Sequence, residues 1–325
     1  MEITRPSELQ IGMKRLTLPV YFPSISSVKT ALRPLDYLQV LSSLTALNSQ
    51  YLVSAFDLST IEAPEQAVRI LATSTAEGAI TLMDSGNYES FWKNAQANWL
   101  QADFHRMLRA FPCDLAFGFD EQEPPVDLGD HATLLVSRWE ADQDVAGACQ
   151  IIPIIHASAN QLPLLCATVV NETGVSMLAV PERKLGNGII ERARAVQAIR
   201  AELDKQERYV ALHLLGTGNP ISIAVYSAMG ADSFDGLEWC QTVVDHDTGL
   251  LYHLTQSDFF RGQTTWGDTG LSFHARTLAH NLEFFSGWIK RLRYAINEGR
   301  VVDFCRHNLP VRVFHQCAQS FGWVL

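Results

Sequence analysis

Ala79-Ile80-Thr81-Leu82-Met83-Asp84 is an apolar run closed by a carboxylate, and the arrangement recurs along the chain. Leu115-Ala116-Phe117-Gly118-Phe119 ends on Asp120, and Ala231-Asp232-Ser233-Phe234 ends on Asp235. A run that is apolar nearly throughout predicts a strand buried on both faces, as in a parallel sheet covered by helices. A charge at the end of such a strand is costly unless it faces a polar site. In a closed barrel of parallel strands the C-terminal strand ends build the active site, so the three aspartates read as chemistry.

Working outward, similar runs predict eight strands, near residues 16–22, 51–56, 79–83, 114–119, 150–155, 175–180, 209–215 and 232–237. Amphipathic stretches lie between them, at 64–76, 95–110 and 188–203 among others. Eight alternating units predict an α/β fold, a (β/α)8 TIM barrel; an open doubly wound sheet is the alternative. Beyond the eighth strand, Leu278, Leu282, Phe285, Ile289, Leu292 and Ile296 recur every three or four residues and predict one long helix. Gly299 supplies its stop. The expected division is a barrel over 1–270 and a basic helical segment packed on it over 271–325.

The 325 residues are 47% hydrophobic and 18% charged, enough for one substantial core. No apolar run approaches the roughly 18 residues of a membrane span. The start, Met1-Glu2-Ile3-Thr4-Arg5-Pro6, has no apolar stretch of the secretory kind. Six scattered cysteines read as reduced thiols, and a cytoplasmic location is expected. The net charge of −10 argues against a polyanionic partner, but residues 276–325 hold seven Lys and Arg against three acids. Lys290, Arg291 and Arg293 concentrate that charge and are candidate nucleic-acid contacts.

The strand ends supply Asp57, Asp84, Asp120, His156, Glu182, Gly216, Gly218 and Asp235. Carboxylates sharing one mouth divide nucleophile and acid–base roles when their surroundings separate their pKa values, as in glycosyl transfer. Metal-assisted hydrolysis and proton abstraction use similar sets. Gly216-Thr217-Gly218-Asn219-Pro220 predicts a tight turn opening a helix, with Asn219 as N-cap. Its backbone amides are candidates for holding an anion or a polar base edge.

Asp84-Ser85-Gly86-Asn87-Tyr88 resembles the DSGG(Y/F)Q segment of the tRNA-guanine transglycosylase family, and Leu178-Ala179-Val180-Pro181-Glu182 resembles its LAVGE segment. His213 to Pro220 is similar to the family's LxGxGxP turn, and Gly230 to Asp235 to its GxDxFD segment. Ala279-His280-Asn281-Leu282 through Glu298-Gly299-Arg300 is similar to its C-terminal helix. The resemblance runs in the family's order from about residue 79 to 304. It implies a TIM barrel that exchanges guanine in nucleic acid for a 7-deazaguanine base, with no cofactor. By the same resemblance Asp235 is the nucleophile, Asp84 the general acid/base, and Asp120 the aspartate that binds the base. Ser85, Tyr88, Met177, Leu178, Glu182, Gly216 and Gly218 fall on substrate-binding positions, Tyr88 as a stacking ring.

The departures carry information too. His156 stands where the family has Gln, and Met177 where it has Gly, so the substituent accepted on the 7-deazaguanine stays open. The family's zinc cysteines have no counterpart between residues 250 and 278, which leaves His280 without thiolate partners, and no metal is expected. Cys305-Arg306-His307 with His315-Gln316-Cys317, and Asp245-His246-Asp247 with His253, are weaker chelating patterns. Loss of the zinc region and the sequence Asp235-Gly236-Leu237-Glu238-Trp239 favour DNA over tRNA as the polymer. Two alternatives stay open: a non-catalytic nucleic-acid-binding subunit, and a barrel nucleosidase or glycosidase. A homodimer or other protein partner is open as well.

Overall fold

The computed structural model describes residues 5–93, 99–268 and 270–324. Two short strands, β1 (Glu8–Ile11) and β2 (Lys14–Thr17), form an antiparallel hairpin. Eight parallel strands follow: β3 (Val20–Ile25), β4 (Gln50–Ser54), β5 (Ile80–Asp84), β6 (Leu115–Phe117), β7 (Gln150–Ile152), β8 (Met177–Pro181), β9 (Ala211–Leu215) and β10 (Ser233–Gly236). Their order is β7-β6-β5-β4-β3-β10-β9-β8. The sheet curls so that its two edges meet just beyond β7, where Ile154 bridges Ala179 of β8. There Ile155 N donates to Ala179 O and Ala179 N to Pro153 O, each at 2.9 Å. The result is an α/β barrel, closed at this last seam by a bridge rather than a full ladder.

The first strand differs from the sequence expectation. The apolar run 16–22 is split: Leu16 belongs to the hairpin, and the barrel strand starts at Val20. Both pieces are apolar for one reason. Leu9, Ile11, Leu16 and Leu18 enter the lower barrel and pack with Val20, Phe22, Ile80, Leu82 and Met177. The hairpin thus plugs the end opposite the C-terminal mouth. Lys14 ties it down through a 2.8 Å ion pair to Asp114 and a hydrogen bond to Ala79 O.

Helices alternate with the strands: α1 (Pro34–Ser43), α2 (Ala55–Ser59), α3 (Pro64–Ala76), α4 (Asn87–Trp92), α5 (Gln101–Ala110), α6 (Leu128–Ala146), α7 (Leu162–Thr173), α8 (Ile189–Leu203), α9 (Pro220–Ala228) and α10 (Glu238–Gln241). The helix expected over 95–110 is seen from Gln101; residues 95–98 lie outside those described. Asn219 caps α9 as its sequence predicts, Oδ1 accepting from Ile221 N at 3.0 Å and Ser222 N at 3.4 Å.

After β10 a small hairpin, β11 (Thr242–Val244) and β12 (Leu251–His253), leads to α11 (Phe273–Asn297). This helix buries Leu278, Leu282, Phe285, Ile289 and Leu292, the face its periodicity predicts. Phe285 stacks on Tyr21 of β3 at 4.5 Å, so α11 occupies the place of the eighth barrel helix. Two further helices, α12 (Val301–Asn308) and α13 (Val311–Phe321), complete the C-terminal part, α12 lying against α9 and α11. Among the described residues no helix is long and apolar enough to cross a membrane.

Candidate active site

All eight barrel strands, or the residues directly following them, contribute to one cavity of about 440 Å³ at the C-terminal mouth. Its size lies within the roughly 300–1,000 Å³ common for small-molecule sites. Asp84, Ser85, Tyr88, Asp120, His156, Glu182, Gly216 and Asp235 all line it. Residues up to 151 positions apart in sequence are therefore gathered by the fold alone.

Asp235 projects from β10 and is held on both oxygens. Ser24 Oγ donates to Oδ2 at 2.9 Å, while Gly216 N donates to Oδ1 at 2.9 Å. His213 Nε2 lies 3.0 Å from Oδ1, and its Nδ1 lies 2.7 Å from Ser233 Oγ. A carboxylate only accepts, so Nε2 carries the proton and Nδ1 accepts from Ser233. Sequence reading passed over His213. Its signal was strand alternation: Ala211, His213 and Leu215 share the inward face of β9, where an unpaired imidazole would be costly.

Asp84 closes β5 and turns back on itself, with Gly86 N donating to Oδ2 at 2.9 Å. Gly86 has φ +91°, and a Cβ there would lie 2.6 Å from Phe56 N, so the turn requires glycine. Burial raises the Asp84 carboxyl well above the ordinary range, and the neighbouring charges of Glu89, Asp120 and Asp235 add to it. Asp84 therefore holds a proton where an exposed aspartate would have lost it.

Asp120 has the opposite balance. Burial alone would raise it, but the hydrogen bond and charge of His156, with Asn87, hold it below the usual carboxylate range. His156 Nε2 sits 2.7 Å from Oδ2, which also accepts from Gln122; Asn87 Nδ2 donates to Oδ1 at 2.6 Å and Ser85 Oγ at 3.3 Å. Four donors on two oxygens fill the carboxylate's capacity. A ligand N–H reaches Asp120 only by displacing one of them. Two are the more displaceable: Ser85 Oγ, the longest contact of the four, and Gln122, partly exposed and shared with Arg183, whose Nη2 donates to Gln122 Oε1 at 3.2 Å.

Two further carboxyls in the cavity were not singled out from sequence. Glu89 of α4 accepts from Ser26 Oγ at 2.6 Å and Ser54 Oγ at 2.7 Å; burial, then the charge of Asp57, pushes it up to about 7. Glu238 of α10 is raised to about 7, by burial first and then by Asp235 and Glu182. Gly218 makes room for Glu238, since a Cβ on Gly218 would lie 1.9 Å from Glu238 Oε2. Glu182 is anchored by Tyr226 Oη at 2.9 Å and Arg192 at 3.0 Å.

The raised Glu89 has a consequence for stability. Between its unfolded value near 4.5 and its folded value of about 7, the native state keeps a proton that the unfolded chain has released. Stability therefore falls as pH rises through this window and levels off above it. In Glu89→Gln the fall from pH 5 to pH 8, read by urea unfolding, is expected to shrink by on the order of 2 kcal/mol. An unchanged slope would show that Glu89 is not the buried acid.

Other candidates lie elsewhere. Met177 starts β8 and packs in the lower barrel, while Leu178 is fully buried among residues of the helix layer. Lys290 and Arg291 are exposed on α11. Arg293 is spent on carbonyls at the barrel's lower end, donating to Pro19 O at 2.9 Å and Thr17 O at 3.3 Å. Asp57 is in α2 rather than on the cavity wall, accepting from Ser27 N at 2.7 Å. His280 Nε2 lies 2.7 Å from Val244 O, its ring 4.3 Å from that of His246. Asn281 beside it accepts from Val244 N at 3.0 Å and donates to Trp239 O and Thr242 O, pinning the segment after β10. Cys305 and Cys317 are buried free thiols, and His307 Nδ1 lies 2.7 Å from Asp303 O. Among the described residues no group of three or more His, Cys, Asp or Glu is placed to hold a metal ion.

No protein-family model matches the chain, and no curated protein matches it. Function is accordingly read from the chemistry of the cavity.

Proposed function

We propose that the chain is a guanine transglycosylase that replaces guanine in nucleic acid, DNA ahead of tRNA, with a 7-deazaguanine base. The observation that carries this reading is the presence in one cavity of three aspartates in three different settings. Asp235 is held by three groups, Asp84 is a proton-holding acid, and Asp120 is kept anionic within a ring of donors.

In this reading an Asp235 oxygen attacks C1′ of the target nucleotide, and the electrons of the C1′–N9 bond leave with guanine. Asp84 gives its proton to the departing base. The incoming base then returns its N9 proton to Asp84 while N9 attacks C1′ and releases Asp235. The exchange balances with no co-reactant. The N1–H and exocyclic amine of guanine take the place of Gln122 and Ser85 on Asp120, and His156 stays as the fixed partner. DNA is placed first because no cysteine stands between residues 250 and 278.

The test is base exchange followed by nucleoside mass spectrometry. The protein is incubated with 7-cyano- or 7-aminomethyl-7-deazaguanine and, separately, single-stranded DNA, duplex DNA or tRNA. A 7-deazaguanine deoxynucleoside is expected from DNA. The ribonucleoside from tRNA alone would reverse the choice of polymer. Free guanine without incorporation would identify a nucleosidase, and no reaction on any polymer would remove the proposal.

A further inference from the structure

Helix α4 presents three large rings at the rim of the cavity. Tyr88, Phe91 and Trp92 are 41%, 56% and 48% exposed, and all three also line the cavity. They meet edge to face, Tyr88 with Trp92 at 6.4 Å and Phe91 with Trp92 at 5.7 Å, and each stays roughly half exposed. Clustered exposed aromatics beside a cavity mark a binding surface.

Cations border this face. The Lys29 ammonium lies 3.8 Å from the Trp92 ring centroid. Its backbone is held at φ +56°, and Lys29 is the one non-glycine residue with positive φ among those described. Gln241 Nε2 donates to Lys29 O at 3.1 Å and fixes that geometry. The exposed Arg183 stands on the cavity wall beyond Gln122, whereas Lys93, at the end of α4, is paired with Asp57 at 3.7 Å. The chain carries −10 overall and six carboxylates line the cavity, so these rim cations are what a polyanion would meet favourably.

Exposed rings next to cations are the two parts of a single-strand binding platform: bases stack on the rings and phosphates meet the cations. We propose that the Phe91–Trp92 face, with Lys29, holds nucleotides of single-stranded DNA flanking the one whose base enters the cavity. A duplex offers no free base faces to such a surface. The inference rests on the reading that the cavity accepts a base from DNA.

Binding of a labelled single-stranded DNA oligonucleotide is measured by fluorescence anisotropy, beside a duplex and a ribo-oligonucleotide of the same sequence. Phe91→Ala/Trp92→Ala is expected to weaken the single strand by about 10- to 30-fold. Both rings are about half exposed, so the variant should melt as wild type does. Trp92→Tyr, which keeps a ring, should restore most of the affinity lost in Trp92→Ala. Lys29→Ala should lower the salt dependence by about one ion.

Calorimetry with free 7-aminomethyl-7-deazaguanine reads the cavity separately. Unchanged oligonucleotide affinity in the double variant overturns the platform. Tighter binding of duplex or RNA than of single-stranded DNA overturns its occupant. Ring-dependent DNA binding without uptake of the free base would retain the platform and remove the transglycosylase reading.

Discussion

On the proposed transglycosylase reading, base exchange in Asp235→Asn protein is expected to fall by about 10⁴-fold or more, and the covalent protein–DNA adduct to be absent from denaturing gels. The substitution is isosteric and suits its surroundings. An Asn oxygen still accepts from Gly216 N and His213 Nε2, and the amide nitrogen faces Ser24 Oγ, which has lone pairs to offer. The unfolding midpoint should therefore stay within about 1 kcal/mol of wild type in stability. What is lost is the oxygen able to form a glycosyl ester. Adduct formation that survives in Asp235→Asn would move the nucleophile to another carboxylate, of which Glu238 lines the same cavity. Residual exchange without an adduct would instead mean direct displacement by the incoming base.

The barrel was legible because strands buried on both faces have no choice of composition. Each of the eight apolar runs overlaps the strand observed, and the three-residue β6 and β7 lie wholly inside theirs, whereas β3 starts late in its run and extends three residues past it. The plug was not legible. Leu16 and Leu18 are as apolar as Val20 and Phe22 because both sets fill the same interior, so composition cannot say where the hairpin stops. The site divides in the same way. Asp84, Asp120 and Asp235 announce themselves by ending apolar runs, and the mouth collects them. Their partners do not. Ser24 sits inside an apolar strand, and Glu89 and Glu238 sit on short helices whose other residues give no sign of a cavity. Met177 and Leu178 were drawn toward the site by a local likeness to a motif. Strand β8 instead puts the first low in the barrel and turns the second outward. Arg293 shows the limit of charge counting, since its guanidinium already serves two backbone carbonyls.

Asp232→Ala should do the reverse of Asp235→Asn. The two aspartates stand three residues apart, yet Asp232 precedes β10 at the lower end of the barrel and is fully buried. Its carboxylate pairs with Arg5 at 2.7 Å and Arg200 at 3.1 Å, and accepts from Tyr209 Oη at 2.6 Å and Leu212 N at 2.8 Å. Removing it takes the fully buried charge partner from Arg200, whose side chain is only 11% exposed and which then keeps Asp204 at 3.3 Å and the carbonyls of Val210 and Gly230, and it strands a buried phenol and an amide. Breaking a buried ion pair from one side costs about 3–5 kcal/mol, far more than the intact pair contributes. Urea unfolding should show that loss. Protein that remains folded at low temperature should keep the proposed base exchange at the wild-type level, because the strand keeps its ladder with β3 and β9 and so keeps Asp235 at the mouth. A stability loss below about 1 kcal/mol would mean that the remaining partners of Arg5 and Arg200, Asp204 and the carbonyls of Val210, Ser227, Gly230 and Ala231, suffice once the carboxylate is gone. Abolished exchange in folded Asp232→Ala protein would mean that the lower anchor sets the height of Asp235 in the cavity, tying catalysis to the plugged end of the barrel.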